Sequence, residues 1–281
     1  MAFDSNNSKS LIKDQVASML VEPLEAASVV LAAGPSIFNS SEPLRIPTLN
    51  HSFDPQWVGE NEEIPTEKDG IEFGEIELMP TSRKSIKSIV RVSNELIRMA
   101  DRDVSRVLQT RLVADVRTKL DDALLAGDGK NDTVLGLLNQ PVDNQPWSPE
   151  DPDTFLDALA LLASREVSPT RFLMNGGDFY KLRKLKDKNG RHLLQSDLSG
   201  TAPYQLHGMS VSVSNKIPEG KAVLADMKQV AVVRDIDPRI DILMERYAEF
   251  DQIGIRVKTR YDLGLIRPEA VLVLDAGVAT E

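Results

Sequence analysis

If this chain carries out chemistry, the residues able to do it are few. The stretch AGDGKNDT at 126–133 gathers glycines, two aspartates, an asparagine and a lysine, the residue types that cradle a phosphate or hold a divalent cation. Its spacing serves neither. A phosphate loop needs four residues between its glycines and a Ser or Thr after the lysine, whereas here Gly127 and Gly129 are separated by one residue and Asn131 follows Lys130. The acidic and amide residues also miss the offsets of a calcium-binding loop. His51, His192 and His207 have no partner three or four residues away, so no helical zinc pair exists. No GxSxG elbow and no GxGxxG turn after a strand occurs. The acidic pairs Asp121–Asp122 and Glu62–Glu63 are adjacent rather than facing, and fit solvated turn or helix-surface roles better than acid–base work. Basic KLRKLKDK at 181–188 has only Phe179 and Tyr180 nearby to stack on bases, so it reads as a helix face. The expectation is a protein without catalytic residues, cofactor site or metal site, and not an enzyme.

Composition narrows the class further. The chain has 281 residues, enough for one large domain or two modest ones. Its 33 basic and 43 acidic side chains leave a net charge of −10, which argues against a general nucleic-acid or membrane-surface binder. There is no cysteine, which excludes disulfides, thiolate metal sites and a cysteine nucleophile, and suits a reducing cytosol. The N-terminal MAFDSNNSKS lacks an apolar core for a secretion signal, and the longest small-apolar run, ASVVLAAG at 27–34, is too short to span a membrane.

The elements are legible from periodicity. Apolar residues at helical spacing from 10 to 33 predict a helical arm stopped by Gly34 and Pro35, and the turn-rich stretch up to Pro47 reads as an extended connector. Residues 57–80, WVGENEEIPTEKDGIEFGEIELMP, predict a protruding β-hairpin in which two short strand-like segments flank a charged tip. Its apolar residues are too few to close a core of their own. A run without proline or internal glycine follows from Ser93, which suits an N-cap, and predicts a helix about 45–50 Å long. Gly127 stands where a left-handed C-cap belongs, so AGDGKNDT reads as the turn that ends this helix. The second half predicts helices at 151–164 and 178–187 and strands at 171–175, 209–214, 222–226, 229–235, 239–247, 253–266 and 270–274, an α+β pattern rich in antiparallel sheet.

The order of these pieces, with WVGE at 57–60, VSNELI at 92–97, LLAGDG at 124–129, VLGLLNQ at 134–140, FLMN at 172–175, HGMSVSVSNKIPEG at 207–220 and IRPEAVLVL at 266–274, resembles the major capsid proteins of tailed double-stranded DNA phages. The resemblance covers about 11–274. It implies the Hong-Kong-ninety-seven-type capsid fold, an α+β fold with a peripheral domain, an axial domain, a long spine helix, an extended β-hairpin loop and an N-terminal arm. The implied division is an N-terminal arm at 1–47, a peripheral domain at 48–132 with the extended loop at 57–80 and the spine helix at 93–126, an axial domain at 133–234, a return to the peripheral domain at 235–265, and a C-terminal strand and tail at 266–281.

The implied function is self-assembly into the icosahedral shell around a phage genome, with the virion as location and the host bacterial cytoplasm as place of assembly. Implied partners are other copies of the chain in hexamers and pentamers, a scaffolding protein, a portal, decoration proteins, and packaged double-stranded DNA without sequence-specific binding; no membrane is implied. On this resemblance the extended loop lies over a neighbouring subunit, with Trp57, Val58, Glu60, Ile64, Lys68, Ile71 and Phe73 as its contacts. The arm begins close to Met1, so the scaffold is expected as a separate protein. Lys68 lies near the loop tip, but no pattern marks an asparagine or a glutamate to complete an isopeptide cross-link, and none is expected. The acidic balance suggests a lining that does not grip DNA. The nearest rival is an encapsulin-like compartment enclosing a cargo enzyme; a more distant one is an enzyme with an α+β domain, which needs a pocket of convergent polar groups that the sequence does not spell out.

Overall fold

The computed structural model describes residues 28–49, 57–60, 73–93, 102–151, 153–186, 205–206, 208–235, 239–243 and 245–277. The helical arm expected before residue 28 and the three histidines lie outside them.

The first described elements are a short helix α1 (Val29–Ala32) and the strand β1 (Ser36–Asn39), separated by Gly34 at φ +88°. Next come β2 (Leu44–Leu49), β3 (Phe73–Leu78) and β4 (Ile86–Ser93), then the long helix α2 (Arg102–Ala126). Two parts of the sequence reading change here. Residues 36–49 are not a connector, because β1 joins a sheet and β2 pairs with β3. The incoming strand of the hairpin is therefore Leu44–Leu49, while 57–60 is not a strand. Ser93 is not a helix cap either: it closes β4, paired with Gln252, and the described helix begins at Arg102. The alternation of Ile86, Ser88, Val90 and Val92 on one face, read across the boundary, belongs to a strand rather than to a helix start.

The second half contains β5 (Asp143–Pro146), α3 (Asp153–Ser164), β6 (Arg171–Met174), α4 (Gly176–Lys184), β7 (Gln205–Leu206), β8 (Met209–Val213), β9 (Lys221–Ala225), β10 (Val230–Arg234), β11 (Arg239–Leu243), β12 (Gln252–Thr259), β13 (Tyr261–Leu265) and β14 (Val271–Asp275). The strands and both helices fall where periodicity places them.

Six strands form one sheet in the order β5-β14-β9-β6-β8-β7. Its central strands are almost wholly apolar because both faces are covered. Leu173, Val223, Val271 and Val273 face a core shared with α2, while Phe172, Leu224, Leu272 and Leu274 face a second core under α3 and α4. Phe155 of α3 packs on Phe172 at 4.5 Å between ring centres, and Trp147 meets the same ring edge-on at 6.1 Å. The last strand, β14, is thus held in the middle of this sheet, parallel to β5 and antiparallel to β9.

A second sheet, β1-β10-β13, packs on the same α2 core through Val230, Val232, Leu263 and Leu265. A third, β11-β12-β4, turns Val257 and the partly buried Ile86, Val90 and Ile255 toward that core. Helix α2 is therefore the common support: Val116, Leu120, Leu124 and Leu125 are all at most 2% exposed.

Candidate functional site

The segment singled out in the sequence, 57–80, rests on the β2–β3 ribbon. Its register runs from Leu44 opposite Leu78 to Leu49 opposite Phe73, so residues 50–72 hang from the end away from the core. Arg45 reaches Glu75 and Glu77 across the exposed face at 3.7 and 3.9 Å, weak solvated pairs. The other end is buried: Leu78 and Met79 pack with Ala231 and Val233, and partly buried Leu44, Ile46 and Ile76 extend the cluster. Gly264 is required there, since a Cβ on it would lie 2.5 Å from a methyl of Leu78.

One buried carboxylate clamps this base. Asp262, on β13, accepts the Met79 N–H at 2.7 Å and the Arg83 guanidinium at 3.0 Å, and its other oxygen accepts the Leu263 N–H at 2.9 Å. Met79 is fully buried at φ +56°, a backbone state rare for a side chain of this kind and held here by these contacts. Arg83 also donates to the Thr133 carbonyl, and the Lys84 N–H to the Asp132 carbonyl at 3.0 Å. The ribbon base, β13 and the turn after α2 form one bonded unit.

That turn is AGDGKNDT. It is structural, as its spacing predicts, with Gly129 at φ +67°, Asn131 at +53° and Asp132 at +61°. Gly127, expected in a left-handed cap, instead serves close approach: its N–H continues the helical ladder to Ala123, and a Cβ would lie 2.3 Å from the Val134 carbonyl oxygen. A Cβ on Gly136 would lie 2.4 Å from the Gly127 nitrogen. The Asn139 amide donates to the Ala126 and Gly127 carbonyls at 3.2 and 2.8 Å, satisfying acceptors that a helix end leaves open. The VLGLLNQ motif is therefore the cap of α2.

Asp121 differs from the solvated surface role read for it. It is 3% exposed and accepts the Ser28 hydroxyl at 2.6 Å and the Val29 N–H at 3.1 Å, with Arg117 at 3.5 Å. Ser28 in turn caps α1 through the Leu31 N–H. This ties the start of the described chain to the long helix. Asp122 remains half-exposed and pairs with Lys216 at 3.0 Å.

A third polar knot explains FLMN and the 207–220 motif. Asn175 caps α4 through the Gly177 N–H and donates to the Ile217 carbonyl at 2.6 Å. Buried Asp178 accepts the Gly220 N–H at 2.6 Å and Lys181 at 2.9 Å. The hydrogen bond to Asp178, then the charge of that carboxylate, holds the Lys181 amine above its ordinary value, so it stays protonated and is no nucleophile. Among the described residues no three His, Cys, Asp or Glu side chains gather as a metal site.

Of the predicted contact residues, Trp57 is 104% exposed, Glu60 is exposed and Val58 is half-buried. Ile64, Lys68 and Ile71 lie outside the described residues, and Phe73 opens β3 opposite Leu49. Sequence reasoning missed Asp262, Arg83 and Met79, whose only signal is a charge inside the apolar run YDLGL. The arrangement supports no bond-making chemistry; it fixes an exposed tryptophan and an acidic tip to a rigid frame.

The fold and these motifs define a shell-building protein, and the chain belongs to the phage capsid family, whose model matches residues 9–276. It is similar to the major capsid protein of Klebsiella oxytoca phage phiKO2, at 25% identity over 95% of this chain and 68% of that protein. Its fold matches the capsid of an empty GTA particle, with a TM-score of 0.71 and 16% identity over 89% of this chain and 90% of the other. It also matches a structure from Mycobacterium phage Bobi, with a TM-score of 0.70 and 18% identity over 90% and 91% of the two chains.

Proposed function

We propose that this chain is the major capsid protein that assembles, as hexamers and pentamers, into the icosahedral shell enclosing the double-stranded DNA genome of a tailed phage. The family match over nearly the whole chain carries this reading. A compartment shell around a cargo enzyme is the weaker alternative, because the curated relative is a phage capsid protein. The shell is the virion's, and its assembly is assigned to the host bacterial cytoplasm with a scaffolding protein, a portal and decoration proteins as partners.

Trp57, Val58, Glu60, Ile64, Lys68, Ile71 and Phe73 are proposed as contacts with a neighbouring subunit. A fully exposed tryptophan supports this, since aromatic side chains dominate the energetics of interfaces and cost the free monomer solubility. Closed shells need contacts that repeat between identical chains, and a ribbon held rigid at its base delivers its tip to one place on the neighbour. The test is expression of the chain followed by sizing and electron microscopy. Shells, capsomer rings or tubes are expected. A compact monomer at high concentration that no phage scaffold converts into particles would overturn the reading.

A further inference from the structure

The chain carries a net charge of −10, yet one face of the β11-β12-β4 sheet is basic. Alternation puts Val257, Ile255 and Val90 against the α2 core and turns the intervening residues outward. On that outer face Lys87 of β4 stands directly opposite Lys258 of β12, which stands directly opposite Arg239 of β11. Lys87 and Lys258 are exposed, and neither forms an ion pair among the described residues. Like charges directly opposite one another weaken a sheet. The carboxylate of this face, Asp241, is already taken by Arg256 at 2.6 and 3.0 Å. At the far end Arg91 stacks over Tyr247 at 4.9 Å, and Tyr247 lies where a Cβ on Gly254 would come within 2.7 Å of its ring. The face is thus a packed, flat surface with an uncompensated row of cations.

We propose that this basic face receives the acidic loop tip of a second copy of the chain, 60–69, through charge pairing centred on Lys87 and Lys258. The tip holds Glu60, Glu62, Glu63, Glu67 and Asp69 against the single Lys68. Every copy carries both surfaces in equal number, and they are different patches, so the contact is head-to-tail and repeats around a ring of subunits. Charge complementarity of this kind sets register and partner choice. The inference rests on the capsid reading and names the surface that the loop meets.

The test measures binding of a fluorescent peptide spanning 57–80 to unassembled full-length chain by anisotropy. Binding that weakens at least tenfold as salt rises from about 0.05 to about 0.5 M is expected, since screening shortens the reach of exposed charges. Lys87→Glu with Lys258→Glu is expected to weaken it at least tenfold again while leaving the circular-dichroism melt unchanged. A peptide with Glu62→Lys and Glu63→Lys should bind this reversed chain better than the native peptide does. No peptide binding, equal binding by the reversed chain, or no recovery with the swapped peptide overturns the proposal. So does a face that takes a duplex oligonucleotide in place of the peptide, which would assign it to DNA phosphates. Peptide binding by a chain that never forms particles would support this surface and sink the capsid reading; particles without peptide binding would do the reverse.

Discussion

At the scale of single residues, the fold depends on a few polar groups buried where nothing but the intended partner can satisfy them. Asp262 is the strongest case, because its side chain is 1% exposed and engages both the strained Met79 backbone and the Arg83 guanidinium. Removing one member of a buried pair leaves the other charge uncompensated. Asp262→Ala is expected to cost about 3–5 kcal/mol, read as a lower denaturation midpoint of the unassembled chain. Asp121→Ala leaves the buried Ser28 hydroxyl without its acceptor, and about 1–3 kcal/mol of destabilisation is expected in the same assay. Wild-type stability for Asp121→Ala would mean that α1 is held by Val30 and Leu31 packing alone. Gly136→Ala meets backbone rather than a movable side chain, and an overpacking cost of about 1–3 kcal/mol is expected, against near-neutrality at an ordinary loop glycine.

At the scale of elements, α2 and the β2–β3 ribbon have opposite demands. The helix is stabilised by burial along one side and by the Gly127–Gly136–Asn139 cap, so it behaves as a rigid member. The ribbon is stabilised only at its base, where Leu78 and Met79 reach the core, and a two-stranded ribbon beyond that point has little independent stability. A substitution at its exposed end should therefore leave folding alone and change association. Trp57→Ala is expected to shift the melting transition negligibly, within about 0.5 kcal/mol, and to reduce particle yield in electron micrographs. Full particle yield from this variant would remove Trp57 from the interface.

At the scale of the whole molecule, net charge and charge distribution say different things. A total of −10 predicts weak attraction to DNA and membranes, and that is a statement about the sum. The three-stranded sheet concentrates cations on one face while the acidic residues gather elsewhere, the segment 60–69 among them. Assembly is accordingly expected to be salt-sensitive: particle yield should fall as salt rises toward about 1 M, where the screening length is about 3 Å. Yield independent of salt would place the assembly energy in apolar contacts.

The sequence by itself determined the elements and the family. Local periodicity places β6, β8, β9, β12 and β14, because strands buried on both faces read as apolar runs whatever they pair with. It also placed the end of α2, because glycines and turn formers act within a few residues. What it could not give were relations between distant residues. The partner of β3 is Leu44–Leu49 rather than the segment just before the acidic tip, and pairing depends on register across 24 or more positions that no local pattern encodes. Ser93 ends a strand because β12 supplies its hydrogen bonds, overriding a sequence context that suits a cap. Asp121 and Asp262 look like any surface acid in a string of letters. Only the packed tertiary structure decides which carboxylates lose their water, and with it which residues carry the fold.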